Sequence, residues 1–136
     1  MSTRNGFEEV PHTADWSMKV WAEDLPALFV AAAQGMNSLA GMQITAGPRV
    51  NRPFEYEAGD TETLLVAFLS ELLYLQELEH LGFDSFQIEI QGDSLRAEMQ
   101  GAQLVALAKP IKAVTFHDLE IRQTPGGFET NVVFDV

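Results

Sequence analysis

Two short polar runs in this chain carry the residue types that do chemistry, and each sits beside an apolar stretch. The first is Pro11-His12-Thr13-Ala14-Asp15. Its imidazole, hydroxyl and carboxylate could serve a site, or Thr13 and Asp15 could simply satisfy backbone N–H groups in a turn. The second is the ending Val132-Val133-Phe134-Asp135-Val136. An apolar strand that closes on Asp-Val puts the Asp135 carboxylate one residue from the α-carboxylate of Val136. Two such anions repel unless water or a cation separates them. A hard divalent ion, Ca²⁺ or Mg²⁺, accepts carboxylate and carbonyl oxygens at this density without histidine or cysteine. A frayed, solvated last residue is the alternative. Should Asp15 lie beside this end, three oxygen donors would converge.

Other arrangements carry less. His117-Asp118 could be an acid–base pair, yet adjacent positions on a strand point to opposite faces. The histidines His12, His80 and His117 are 68 and 37 residues apart, so no helical zinc pair exists. There is no phosphate-binding Gly-x-x-x-x-Gly-Lys loop, no Gly-x-Gly-x-x-Gly and no Gly-x-Ser-x-Gly elbow. With no cysteine, thiolate zinc, iron–sulfur clusters and cysteine nucleophiles are excluded. Nothing announces an enzyme.

Charge narrows the partners further. Eight Lys and Arg against 20 Asp and Glu leave a net charge of -12 over 136 residues. Such a surface repels nucleic acid, which is held by cations on its phosphates. It suits a held cation or docking on a basic protein, or it serves solubility alone. The length fits a single domain over 1–136, and 46% hydrophobic with 21% charged residues is globular. No apolar run approaches a membrane span and the N-terminus is polar, so a soluble cytoplasmic protein is expected.

The elements that must position these residues follow from periodicity. Met18, Val20 and Ala22 alternate with Lys19 and Trp21, which predicts a strand over 17–22. Trp16 and Trp21 bracket it, as core or as partner anchors. Asp24 and Pro26 open a helix whose stripe is Leu25, Leu28, Phe29, Ala32, Met36 and Leu39, and Gly41 stops it. Asp60 or Thr61 caps a second helix with Leu65, Phe68, Leu69, Leu72 and Leu73 buried. It ends near Glu79 or His80, with Gly82 as terminator. Over 64–78 the leucines are expected in the core, with Glu71, Glu77 and Glu79 on the solvated face.

The second half is mainly strand. Phe86, Ile88 and Ile90, then Leu95, Ala97 and Met99, flank the Gly92-Asp93 turn as a hairpin. Segments 119–122 and 128–136 flank Pro125-Gly126-Gly127 as another. Phe54-Glu55-Tyr56 could be a short strand in the weakly patterned 43–59 stretch, and 111–119 is ambiguous between strand and short helix. Two helices on an antiparallel or mixed β-sheet make an α+β domain.

Taken together the chain resembles the archease family. The residues that carry the resemblance are Phe7-Glu8, His12-Thr13-Ala14-Asp15 and the Leu-, Phe- and Ala-rich first helix. Asp60 with Leu64-Leu65 and Phe68-Leu69-Ser70-Glu71-Leu72-Leu73 continues it. Lys112-Ala113-Val114-Thr115-Phe116-His117 and the Phe134-Asp135-Val136 ending complete it. Trp16-Ser17 replaces the family's small aliphatic and Gly, a Gly usual after the first strand is absent near Ala22-Glu23, and Phe116 replaces a common Tyr. Segments 43–59 and 101–110 match poorly.

The resemblance implies a non-catalytic accessory protein of an RtcB-type RNA ligase, which joins RNA ends in tRNA splicing and RNA repair. It implies promotion of the ligase–guanylate intermediate and of repeated turnover. It also implies a metal site of Asp15, Asp135 and Val136, with Ca²⁺ expected in vitro and Mg²⁺ or Mn²⁺ as alternatives. His12, Lys112 and His117 are then candidates to touch those ligands or the partner. Two other classes compete: a metal-dependent hydrolase using Asp15, Asp135 and His117, and a chaperone-like adaptor presenting exposed Trp and Met residues to a client.

Overall fold

A computed structural model describes residues 4–11 and 16–136. The elements run β1 (Gly6–Val10), β2 (Trp16–Ala22), α1 (Leu25–Ala40), β3 (Gln43–Ile44), β4 (Val50–Glu57), α2 (Thr61–Glu79) and β5 (Leu81–Gln91). Then follow β6 (Ser94–Ala106), β7 (Ala113–Val114), β8 (Arg122–Thr124) and β9 (Gly127–Asp135).

The expected strand over 17–22 forms as β2 because Met18, Val20 and Ala22 bury one face of it. Helix α1 starts where the Asp24 side chain accepts the Ala27 N–H at 2.8 Å and Pro26 needs no donor. Gly41 closes it in the left-handed region, φ 63°, and Met42 N–H donates back to Asn37 O at 3.0 Å. Helix α2 is capped likewise by Asp60, which accepts the Thr63 N–H at 2.7 Å. That hydrogen bond holds the Asp60 carboxyl below its ordinary pKa.

The end of α2 differs from expectation. His80, not Gly82, takes the left-handed cap, with φ 55°, and its N–H reaches Leu75 O. Gly82 lies inside β5, where Ile44 and Met42 press against the space a Cβ would fill. The glycine serves close packing, so it is not free to end the helix. Leu78 is 58% exposed rather than core, because it falls off the buried stripe in the last turn. Glu71 is half-buried rather than fully solvated.

The strands divide between two sheets, and every pair is antiparallel. One has the order β1-β2-β9-β7, with β8 also on β9; the other has β3-β6-β4, with β5 also on β6. Strand β4 is longer than the 54–56 core expected from the sequence. It tolerates Pro53 because its described neighbour is β6 alone, so a missing N–H can face outward. Strand β6 carries the unpatterned residues 101–106 as well. In the last hairpin β8 begins at Arg122, while Leu119 and Ile121 turn inward against the core as part of a loop.

One buried cluster draws on both sheets and both helices. Phe29 of α1 stacks on Phe68 of α2 at 6.0 Å, and Phe68 meets Phe86 of β5 edge-on at 5.7 Å. Among the described residues no helix is long and apolar enough to cross a membrane.

Candidate functional site

The two extremities of the described chain meet in the first sheet. Strand β2 pairs with β9 without a register break, from Ala22 opposite Phe128 to Trp16 opposite Phe134. The Trp16 and Phe134 rings meet edge-on at 6.4 Å. Two more contacts fix Trp16. Its indole N–H donates to Glu9 Oε2 at 2.9 Å, and Lys109 Nζ lies 4.3 Å from the ring centroid. The start of β2 is therefore held by β1, by β9 and by the segment that follows β6. Glu9 lies on the neighbouring strand and Lys109 is distant in sequence, and nothing in the sequence pattern points to either.

The end of β9 is held from its other side. Lys112 N–H donates to the Asp135 carbonyl at 2.7 Å, and both the N–H and the hydroxyl of Thr115 donate to the Val133 carbonyl at 3.0 Å. These bonds anchor the main chain and leave the Asp135 side chain exposed, with no ion pair among the described residues. Val136 is 42% exposed beside it. A strand end clamped through its backbone, with a free carboxylate and the last residue projecting, is a rigid mount for oxygen donors. His12 and Asp15 lie outside the described residues. Among the described residues no group of three or more His, Asp and Glu is clustered.

The archease protein family model (MTH1598/TM1083) matches residues 7–136. The chain belongs to the archease family. The archease of Methanosarcina mazei is 34% identical over 96% of this chain and 95% of its own length. That of Pyrococcus furiosus is 30% identical over 89% and 91%. Among solved structures, Methanobacterium thermoautotrophicum protein 1598 superposes with a TM-score of 0.70 at 25% identity, covering 96% of this chain and 99% of that one. The Thermotoga maritima archease, described as a possible chaperone, superposes with a TM-score of 0.69 at 20% identity over 93% and 94%, a likeness of fold. The α+β architecture expected from the sequence is the archease one.

The remaining candidates of this archease fall around the same end. Thr115, His117, Val133, Phe134 and Asp135 line a surface depression of about 370 Å³. His117 is therefore on the Asp135 side of the molecule. Its Nε2 is 3.3 Å from Asp118 Oδ2, with both side chains mostly exposed. The expectation that adjacent residues must diverge fails here because they are not on a strand: Asp118 has φ 54°, which turns the chain. Lys112 contributes its backbone amide, and its side chain is exposed. The Trp and Met side chains considered for an adaptor surface are in part withdrawn from it among the described residues. Met18, Met36 and Met99 are buried, and Met42, Trp16 and Trp21 are half-buried.

Proposed function

We propose that this archease is a non-catalytic, metal-binding accessory protein that activates an RtcB-type RNA ligase, promoting its guanylylation and repeated turnover in tRNA splicing and RNA repair. One observation carries the reading: Trp16 pairs with Phe134. A single peptide bond joins Asp15 to Trp16, and one joins Asp135 to Phe134, so each aspartate is covalently tied to one member of that pair. Consecutive Cα atoms are about 3.8 Å apart, which keeps both within reach of a common ion.

The donor set suits a hard cation. Asp15, Asp135 and a main-chain oxygen of Val136 are all oxygen ligands, and the exposed strand end leaves room for water to complete a shell of about six to eight. Ca²⁺, Mg²⁺ and Mn²⁺ meet that description. A divalent ion held there would supply charge neutralisation beside nucleotide phosphates. The chain's own part is positioning: the Lys112 amide and Thr115 hold the β9 backbone, so the Asp135 carboxylate is presented on a fixed main chain. His117 and Lys112 are the nearby groups able to touch the partner or its nucleotide, and His12 belongs to the same run as Asp15.

The test is a ligase guanylylation assay with and without the protein. Asp15→Ala and Asp135→Ala each abolish stimulation while circular dichroism stays native, and calorimetric titration with Ca²⁺, Mg²⁺ and Mn²⁺ shows the loss of metal binding. Stimulation that survives both substitutions removes the metal-tip mechanism.

A further inference from the structure

A second surface lies between β4 and α2, on residues that take no part in the metal reading. Phe54, Tyr56, Glu71, Tyr74 and Phe116 are among the residues lining an apolar groove of about 510 Å³, open to solvent. Tyr56, Tyr74 and Phe116 are 42%, 55% and 57% exposed, three of the six large apolar side chains so exposed among the described residues. Their concentration in one groove matters, because scattered exposed apolar residues are ordinary and a contiguous aromatic patch marks a contact site. The groove walls are firm. Phe54 stacks on Tyr56 at 6.0 Å, and Arg52 ties β4 to the end of α2 through Glu79 at 2.8 Å.

Charge specifies the occupant. Among the described residues Glu71 is the one carboxylate lining the groove, and no Lys, Arg or His lines it. Among the described residues nothing donates to the Glu71 carboxylate. Burial raises its pKa, with Glu79 adding to the effect. An anion half-withdrawn from water without a partner is a cost that an incoming cation would remove. We infer that the β4–α2 groove docks a segment of a partner protein in which apolar side chains bracket an Arg or Lys, the cation pairing with Glu71 while the apolar groups cover Tyr56, Tyr74 and Phe116. Aromatic anchors around one charged pair are the composition that concentrates binding energy at protein interfaces.

The probe is a displayed library of random twelve-residue peptides panned against the intact protein. Enriched peptides combine Leu, Phe, Tyr or Trp with Arg or Lys. Their affinity falls about tenfold on Glu71→Gln, the loss expected for one charge-assisted hydrogen bond. It falls also on Tyr74→Ser and Phe116→Ser, while far-ultraviolet dichroism and calcium titration of these variants match the parent. Failure to enrich any peptide overturns the proposal. So does enrichment of acidic or purely apolar peptides, or affinity indifferent to Glu71→Gln. Sedimentation at micromolar concentration covers the remaining occupant: a dimer that Tyr74→Ser dissolves means that the groove seats a second copy, and the inference falls.

Discussion

At the scale of single residues, chemistry was legible where it depended on local composition and hidden where it depended on distant partners. Asp135 and Val136 announce themselves as candidates, because a charged residue closing an apolar strand is an oddity in one dimension. The groups that hold them do not: Lys112 and Thr115 act through main-chain and hydroxyl bonds to β9 that have no sequence signature. Glu71 is the clearest case of a residue misjudged by its helix position alone, and it carries a pH prediction. Its folded-state pKa lies above the ordinary value of 4.5, so the folded protein binds the extra proton and stability falls as pH rises from there through the raised value. Glu71→Gln removes that penalty. Its melting temperature therefore exceeds the parent's at pH 7, and the gap closes below about pH 4. An equal gap at both pH values would show that the ionised carboxylate costs nothing.

At the scale of elements, helices came through best. Both carry an aspartate cap and an apolar stripe of helical spacing, and α1 adds a left-handed glycine stop, signals that are all local. Strand limits were harder, because residues 101–106 owe their conformation to pairing rather than to alternation. Gly101 shows why. It sits opposite an irregularity between Phe83 and Ser85, where the Gly82 carbonyl occupies the place a Cβ would take. Gly101→Ala forces β5 and β6 apart and destabilises the fold by about 1–3 kcal/mol or more. Urea unfolding would measure it, and an unchanged midpoint would mean that the β5–β6 ladder yields without cost. The Gly82 misreading has the same origin: a glycine near a helix end is a stop signal only when tertiary packing has no other use for it.

At the scale of the whole molecule, the charge of -12 bears on association rather than on fold. The proposed docking on a basic RNA-handling ligase predicts an affinity that drops several-fold as ionic strength rises from about 0.05 to about 0.3 M, mainly through the association rate. Surface plasmon resonance across that range checks it, and a salt-independent rate would remove the electrostatic part of the proposed docking. Composition, caps and periodicity were enough to specify an α+β chain with two capped helices and a strand-rich second half, since each of those is decided within a few residues. The split into two antiparallel sheets, the meeting of Trp16 with Phe134 across 117 intervening residues, and the groove under Phe116 were decided only by tertiary structure. The physical reason is that strand pairing and surface burial depend on which segments become neighbours in space, a choice made by the collapse of one common core and carried by no local stretch of chain.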